Sequence, residues 1–292
     1  MINLWYDESY WAYTGGKFTG PEEVVRNTIA ALQKEKIEFA INEDKYSYNF
    51  LMQYQHAIAH QRHENLEHSS CVIGPQFWPY DESYGKFLIE NPQYYKKIIA
   101  PGYWVEDMLV NRLNVPSDKV AIWPAPIPSF TQNKVYGKYD CLIYFKSRSD
   151  EELEIVKDFL DSKGKSYKVI QYGNYKENEF IDEVFDTKFC FILDSTESQG
   201  IAIQKIMSTN TPLFVWDVKV WVYMGEEYKV PASSVPYWSD DCGERFYDVQ
   251  DMEETFDRFC AKIREYTPRK LIESELSYKV SIKKLLAIFN EN

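Results

Sequence analysis

The sequence predicts an α/β protein built from two tandem, doubly wound domains. Short apolar runs alternate with amphipathic helical patterns along most of the 292 residues, and such β-α-β alternation implies parallel sheets with helices on both faces. A proline-rich stretch, WPAPIPSF at 123–130, interrupts the alternation and excludes regular helix or a central strand there. At about 150 residues per domain, the length also fits two domains, which we expect at 1–128 and 129–292.

In the first domain, apolar runs predict strands separated by helices. The first helix begins with Pro21, whose fixed φ suits the first turn, and Glu22 and Glu23 suit the positive end of the helix dipole. Its apolar positions recur with the 3.6-residue period. The expected strands are 2–6, 37–41, 71–74, 97–100 and 119–123, and the expected helices are 21–35 and 103–114.

The second domain repeats the alternation more clearly. Ser149 with Glu152, and Asp251 with Glu254, have the spacing of capping boxes and predict the starts of two helices. A last helix is expected to begin after Thr267-Pro268 and to run to about residue 289, and whether it crosses back to the first domain stays open. The expected strands are 140–145, 167–172, 189–193 and 213–216, and the other expected helices are 150–162, 177–186, 198–209 and 251–265.

Composition and charge exclude several classes of function. The chain carries 33 Lys and Arg against 45 Asp and Glu, a net charge of −12, so general electrostatic binding to nucleic acid is not expected. The five cysteines contain no CxxC pair, which argues against zinc ribbons and fits a reducing compartment. No signal-peptide pattern and no run of 18 apolar residues occurs, so we expect a cytoplasmic protein without a membrane span. Aromatic residues make up 16% of the chain, more than a core requires, and they suit sugar rings and nucleobases.

The segment 189–217 carries the most specific chemical pattern. A predicted strand ends at Asp194, a short polar loop follows, and a helix is expected to start near Ser198 with Gly200 in its first turn. Backbone N–H groups at such a helix start favour phosphate, and the carboxylate of Glu197 can accept hydrogen bonds from sugar hydroxyls. The alternative is that Ser198 or Glu197 only caps the helix.

This segment resembles the nucleotide-sugar-binding region of retaining glycosyltransferases with the GT-B fold. The positions that match the family's pattern are Glu197, Gly200, Met207, Thr211 and Pro212. The resemblance extends over most of the chain and is loose in the first domain. It implies two Rossmann-like domains facing a cleft, with the acceptor on the first and the donor on the second. It further implies a UDP- or GDP-sugar as donor and co-substrate, a carbohydrate or glycoconjugate as acceptor, retention of the anomeric configuration, and no metal or other cofactor. Inversion stays open, since a single His or Asp of the first domain could serve as a base.

One departure from the family's pattern concerns the nucleotide. The second acidic residue, which holds the ribose hydroxyls in the family, falls at Lys205, next to Gln204. A lysine cannot accept a hydrogen bond. Either one of these two residues contacts the nucleotide differently, or the donor is unusual, or the activity is weakened.

The resemblance also implies the residues of the donor site. Glu197 and Arg148 would be catalytic, with Arg148 and Lys146 neutralising the charge of the leaving diphosphate, unless this basic pair is simply solvated. Two glycines, Gly15 and Gly16, would let the backbone approach a ligand, although tight turns use such pairs as often. The expected donor contacts are Lys146, Ser198, Gln199, Gly200, Ile201, Gln204, Lys205, Tyr172, Gly173, Gly15, Gly16 and Lys17.

All four histidines fall between residues 56 and 68. His56, His60 and Glu64 would share one helix face with the spacing of metal ligands, but no fourth ligand is evident, and we predict no metal site. These histidines either line the acceptor side or form a polar helix face. The candidate acceptor contacts are His56, Trp78 and Tyr103.

The sequence therefore predicts a glycosyltransferase that moves a sugar from a nucleoside-diphosphate donor to an unidentified acceptor. Two alternatives stay open. One is a non-catalytic nucleotide- or sugar-binding protein on the same fold. The other is an enzyme that glycosylates DNA bases, against which the net charge of −12 counts.

Overall fold

The computed structural model describes residues 1–7, 19–44, 46–53, 65–76, 85–131, 137–223 and 225–291. Contacts divide the chain into two compact units. The first comprises Met1–Pro126 together with Tyr278–Asn292, and the second comprises Ile127–Ser277. Both units contain a parallel sheet and helices, which confirms the predicted α/β fold class.

The sheet of the first unit is parallel throughout its described strands. These are β1 (Ile2–Trp5), β2 (Phe39–Ile41), β3 (Tyr48–Leu51), β4 (Cys71–Ile73), β5 (Lys97–Ala100) and β6 (Val120–Ile122). They lie in the order β2-β1-β3-β4-β5-β6. The described helices are α1 (Gly20–Lys34), α2 (Gly85–Glu90) and α3 (Tyr103–Asp107), which continues as a π-helical turn over Met108–Arg112. Short 3₁₀ turns cover His68–Ser70, Pro92–Tyr94 and Ser117–Lys119.

The strand β3 is absent from the sequence-based prediction because a polar residue, Asn49, lies at its centre. Asn49 is 1% exposed, and its Oδ1 accepts hydrogen bonds from Trp5 Nε1 at 2.9 Å and from Asn3 Nδ2 at 3.1 Å. A buried polar side chain is tolerated when it is hydrogen-bonded in this way. In the folded sheet, β3 lies between β1 and β4.

The sheet of the second unit is also parallel. Its strands are β7 (Tyr139–Phe145), β8 (Tyr167–Gln171), β9 (Thr187–Leu193), β10 (Leu213–Trp216) and β13 (Gly243–Phe246), in the order β13-β10-β9-β7-β8. A separate antiparallel hairpin joins β11 (Trp221–Tyr223) to β12 (Glu226–Tyr228). The helices of this unit are α4 (Asp150–Ser162), α5 (Glu177–Phe185), α6 (Ile201–Ser208), α7 (Met252–Lys262) and α8 (Arg269–Leu271). The helix α8 continues as a π-helical turn over Ile272–Leu276. The last helix, α9 (Tyr278–Asn290), belongs to the first unit. Short 3₁₀ turns cover Asp240–Cys242 and Val249–Asp251.

The strand β13 also escapes the apolar pattern, because half of it is polar. It begins at Gly243, whose φ is +146°. A Cβ atom at this position would overlap the carbonyl oxygen of Leu213 on β10. Only glycine therefore lets β13 approach β10 this closely.

Much of the aromatic content packs in the core of the second unit rather than serving a ligand. Phe214 on β10 lies 5.1 Å from Phe191 and 5.1 Å from Phe246, measured between ring centroids. It also lies 5.2 Å from Phe256 and 5.4 Å from Phe259, both on α7. All five rings are buried. Each contributes on the order of 1.5–3 kcal/mol of burial free energy, so these five phenylalanines stabilise the core of the second unit.

One predicted capping box is confirmed and the other is wrong. Ser149 accepts a hydrogen bond from Glu152 N, and Ser149 N donates to the Glu152 carboxylate. Asp251 instead has helical dihedrals and makes no side-chain cap bond, because a 3₁₀ turn already leads into α7.

The last predicted helix is also not continuous. It breaks at Ser277, whose ψ of 157° is extended. The break separates α8 and its π-helical turn in the second unit from α9 in the first. Hydrogen bonds tie α9 into the first unit: Trp123 Nε1 donates to Ser281 O, Ser281 Oγ to Pro124 O, and Lys96 Nζ to Phe289 O.

Candidate functional site

Three neighbouring strands of the second unit deliver polar residues to one edge of the sheet. Lys146 and Arg148 follow β7, Asp194 follows β9, and Asp217 follows β10. Since β10, β9 and β7 are adjacent and parallel, their carboxyl ends meet at this edge, where open α/β sheets bind ligands.

Lys146 lies between two carboxylates. Its Nζ donates a hydrogen bond to Glu197 Oε1 and lies 3.9 Å from Asp194 Oδ2. The ring of Tyr172 lies 4.5 Å from the same ammonium group, as in a cation–π contact. The side chain of Lys146 is 21% exposed, so it is only partly buried.

The pKa values of Asp194 and Lys146 are both raised, by different causes. Burial, followed by the negative charge of Glu197, raises the pKa of Asp194 to about 8, although Lys146 opposes the shift. Burial would lower the pKa of Lys146, but the charges of Glu197 and Asp194 outweigh it, and this pKa is raised. Asp194 Oδ2 is buried and has no hydrogen-bond partner among the described residues. The cluster therefore keeps Lys146 cationic and favours a proton on Asp194 near neutral pH.

Arg148 is occupied by contacts within the fold. Its Nε donates to Asp194 O at 3.0 Å, one terminal nitrogen to Glu152 Oε1 at 2.8 Å, and the other to Trp216 O at 2.9 Å. The guanidinium group also lies 5.0 Å from the Trp216 ring. Arg148 thus fixes the ends of β9 and β10 against the loop after β7.

The helix α6 begins at Ile201 rather than at Ser198. Gly200 precedes it in the left-handed conformation, with φ of +74° and ψ of 45°, which disfavours any residue with a Cβ atom. Ser198 is exposed in the preceding bend, whereas Gln199 is 6% exposed. The backbone N–H groups of the first turn of α6 lack intrahelical partners, an arrangement that favours an anion.

A buried carboxylate, Asp217, holds the chain segment that supports this loop. It accepts hydrogen bonds from Ser233 Oγ, Ser234 N and Ser234 Oγ at 2.8–3.0 Å. Ser233 O in turn accepts a hydrogen bond from Glu197 N at 3.0 Å. Asp217 therefore positions the backbone of Glu197 through the serine segment.

Gln204 and Lys205, the two residues expected at the ribose, make contacts within the fold. Lys205 is 3% exposed and donates to Glu177 Oε1 on α5 at 2.5 Å. Gln204 is 2% exposed and donates to Gln199 O at 2.6 Å. Lys205, which stands where the family has an acidic residue, is thus paired with the carboxylate of Glu177 on the neighbouring helix α5.

Three other residues predicted to contact a ligand, Tyr172, Gly173 and Tyr103, lie at exposed positions. Gly173 has φ of +78° in an exposed turn beside Tyr172, which is 41% exposed. Tyr103, in the first unit, is 65% exposed at the start of α3, directly after β5. The remaining candidates lie outside the described residues: Gly15, Gly16, Lys17, His56, His60, Glu64 and Trp78.

The sequence predicts no role for Asp194, Asp217, Ser233 or Ser234. The available signal was an aspartate directly after each of two apolar runs, FCFIL and LFVW. Parallel buried strands place such residues at the ligand-binding edge of a sheet. The serines carry no comparable signal, because only the folded chain brings them to Asp217.

The described residues offer one cation between two carboxylates, a helix start behind a left-handed glycine, and an exposed aromatic ring. No group of three His, Cys, Asp or Glu side chains suited to a metal ion occurs among them. Likewise, none of the described helices is both long and apolar enough to cross a membrane. The arrangement suits a ligand that carries both negative charge and hydroxyl groups.

No family model and no curated protein sequence matches the chain. Solved structures do match it. The apo lipopolysaccharide outer core galactosyltransferase WaaB aligns with a TM-score of 0.64 and 9% identity, covering 99% of this chain and 98% of WaaB. AviGT4, a glycosyltransferase involved in avilamycin A biosynthesis, aligns with a TM-score of 0.56 and 9% identity, covering 99% and 96%. A mutant of S. aureus TarM in complex with Fondaparinux, alpha-GlcNAc-glycerol and UDP aligns with a TM-score of 0.52 and 14% identity, covering 78% of this chain and 52% of TarM.

At these identities the likeness is one of fold. It spans nearly the whole chain for WaaB and AviGT4, and about half the length of TarM. The predicted architecture is thereby confirmed: the chain has the GT-B fold of glycosyltransferases.

Proposed function

We propose that this protein is a glycosyltransferase that moves a sugar from a UDP- or GDP-sugar to a carbohydrate or glycoconjugate acceptor, with retention of configuration. The observation that carries the proposal is the contact between Lys146 and Glu197, which lies in the loop that leads into α6. The fold shared with known glycosyltransferases supports it, and so does the UDP in the TarM complex.

In this proposal the donor's diphosphate lies at the start of α6 and against Lys146. The ammonium group of a lysine has three N–H donors, and Glu197 accepts one of those of Lys146. The others can bind diphosphate oxygens and stabilise the negative charge that develops as the sugar leaves. Glu197 is 13% exposed at its side chain and orients the sugar by accepting hydrogen bonds from its hydroxyls.

Arg148 acts indirectly in the same proposal. Because its guanidinium group is tied to Asp194, Glu152 and Trp216, it positions Lys146 and Asp194 rather than leading the contact with phosphate. In this proposal Arg148 is therefore a residue that positions the site, whereas the family resemblance implied direct contact of Arg148 with the leaving diphosphate.

The test is binding of UDP and of GDP to the purified protein by calorimetry and thermal shift. A ligand at a hundredfold excess over its Kd stabilises the folded state by about 2.7 kcal/mol. Lys146→Met should weaken binding by about tenfold or more, since it removes a charge-assisted hydrogen bond. Lys188→Met is the matched control, because Lys188 pairs with Asp140 at the far end of β9. The proposal fails if neither nucleotide binds the wild-type protein.

A second candidate function is nucleotide-sugar binding without transfer. Lys205 favours it, because the acidic residue of the family's pattern is replaced by a buried, ion-paired lysine. Release of UDP or GDP from UDP-glucose, UDP-galactose, UDP-N-acetylglucosamine or GDP-mannose separates the two. Binding without release under any acceptor supplied supports the non-catalytic candidate.

A further inference from the structure

Two carboxyl groups of the candidate donor site lie close enough to interact through one proton. Asp194 directly follows β9, and Glu197 follows in the loop that leads into α6. Lys146 Nζ donates a hydrogen bond to Glu197 Oε1 and lies 3.9 Å from Asp194 Oδ2, so both carboxyl groups meet at the same ammonium group. Two carboxylates can only accept hydrogen bonds, whereas a protonated carboxyl group also donates one. A proton on Asp194 therefore allows a hydrogen bond from Asp194 to Glu197.

Burial makes a negative charge on Asp194 unfavourable. The residue is 0% exposed. Its Oδ1 accepts a hydrogen bond from Ser195 N at 2.7 Å, whereas Oδ2 is buried and has no hydrogen-bond partner among the described residues. A buried charge is stable only when it is paired and hydrogen-bonded, and Lys146 gives its hydrogen bond to Glu197 instead. A proton on Oδ2 removes the charge and turns this oxygen into a donor for Glu197.

The other groups around Asp194 do not neutralise a second negative charge. Among the described residues, Tyr144 on β7 and Arg148 after β7 also interact electrostatically with Asp194. Burial raises the pKa of Tyr144, so its hydroxyl group stays uncharged. Arg148 donates to the backbone carbonyl of Asp194, and its charge is paired with the carboxylate of Glu152 at 2.8 Å. Lys146 therefore faces two negative charges when both carboxyl groups are ionised, and one when they hold a proton.

A diphosphate bound at Lys146 adds further negative charge beside these carboxyl groups. In the proposed function, its oxygens accept hydrogen bonds from the N–H groups of Lys146 that do not contact Glu197. The diphosphate then competes with ionised Asp194 for the same ammonium group. A negative charge within about 4–6 Å favours the neutral form of a carboxyl group. Bound diphosphate therefore favours the state in which Asp194 carries a proton.

We propose that binding of the donor's diphosphate is coupled to uptake of one proton by the pair of Asp194 and Glu197. The proton comes from the solvent, binds Asp194 Oδ2 and forms a hydrogen bond to Glu197. Asp194 is thus a positioning residue that sets the pH range in which the donor binds. That the bound anion is the donor's diphosphate rests on the proposed function, whereas the shared proton rests on the contacts of Asp194, Glu197 and Lys146.

The test is calorimetric titration of the full chain with UDP and with GDP at pH 7 and pH 9, each in two buffers of different ionisation enthalpy. The difference in heat between the buffers gives the number of protons taken up on binding. In the unliganded protein Asp194, with a pKa of about 8, is mostly protonated at pH 7 and mostly ionised at pH 9. We therefore expect uptake of about one proton at pH 9 and little uptake at pH 7. The terminal phosphate of both nucleotides, with a pKa of about 6, is ionised at both pH values.

Asp194→Asn keeps the shape of the side chain and removes the proton-binding site. Proton uptake at pH 9 should fall to near zero in this variant, and any remainder measures titration of the nucleotide itself. From pH 7 to pH 9 the Kd of the wild-type protein should rise about tenfold, whereas the Kd of Asp194→Asn should stay nearly constant. Asp140→Asn is the matched control, because Asp140 pairs with Lys188 at the other end of β7. It should keep the proton uptake and the pH dependence of the wild-type protein.

The proton count of the wild-type protein decides the question by itself if Asp194→Asn does not fold. Nucleotide binding without proton uptake at pH 9 overturns the inference and leaves the proposed function standing. Proton uptake that Asp194→Asn retains overturns it as well, because the proton then binds elsewhere. Absence of nucleotide binding at both pH values overturns the inference together with the proposed function.

Discussion

At the scale of single residues, the candidate donor site separates two cations that look equivalent in the sequence. Lys146 and Arg148 lie two positions apart at the end of β7 and were both expected to bind pyrophosphate. In the folded chain Lys146 contacts Glu197, and its side chain is partly exposed. All three side-chain nitrogens of Arg148 instead donate hydrogen bonds to other residues of the same unit. Both residues lie beyond the end of β7, on either side of Ser147, whose φ is +54°. The difference follows from which strand ends and side chains lie within reach of each cation in the folded chain.

The raised pKa of Asp194 predicts a pH-dependent stability. An unfolded aspartate titrates at about 3.9, whereas the folded carboxyl titrates at about 8. Between these values the folded state binds more protons than the unfolded state, so its stability falls as pH rises. Asp194→Asn removes the titrating carboxyl and with it this fall in stability as pH rises. Its free energy of unfolding relative to the wild-type protein should therefore increase steadily between pH 5 and pH 8.

Urea denaturation at pH 5, 6, 7, 8 and 9 measures this difference, with Asp140→Asn as control. For Asp140, burial is outweighed by hydrogen bonds from Lys188 and Ser166, which lower its pKa to about 2. The stability that this carboxylate contributes is present above about pH 4. Its variant should show a constant difference over the same range. A flat profile for Asp194→Asn would contradict the prediction.

At the scale of elements, the start of α6 depends on a glycine and on a distant segment. Gly200 supplies the left-handed turn before the helix. The segment 233–236 lies behind it, because Asp217 holds Ser233 and Ser234. A Cβ atom on Gly200 would lie 3.5 Å from Pro236 Cδ, an ordinary contact distance. The cost of an alanine there comes from the backbone conformation rather than from a clash.

Gly200→Ala should therefore lower stability by about 1–2 kcal/mol and weaken binding of UDP or GDP, because the first turn of α6 shifts. Gly164→Ala makes a matched control. Gly164 has φ of +62° with no atom within 4 Å of its Cβ position, and it lies away from α6, just after α4. Both variants should lose similar stability in thermal denaturation. Equal nucleotide binding by the two would show that the left-handed turn has no role in the site.

At the scale of the whole molecule, the chain returns to its first unit after completing the second. The extended Ser277 ends the π-helical turn after α8, and α9 then packs against α1. Leu285 is fully buried on this helix. The last helix is thus part of the core of the first unit.

Leu285→Ala should destabilise the first unit by about 2–5 kcal/mol, the range for a large-to-small change in a core. Hydrogen–deuterium exchange should increase in peptides of α1 and α9 and stay unchanged in β7 and β9. Leu286→Ala, at a half-buried position on the same helix, should have a smaller effect. Equal increases in both units would contradict assignment of α9 to the first unit.

The sequence by itself determined the α/β class, the positions of most strands and the segment 189–217, because hydrophobic periodicity and turn residues are local properties. It missed β3 and β13, where Asn49 and Gly243 are acceptable only beside their neighbours. Tertiary structure alone decided that Lys205 pairs with Glu177, that Asp217 supports Glu197 through Ser233, and that α9 belongs to the first unit. These contacts join residues far apart in the chain, and their energies depend on burial and distance, which no local pattern encodes.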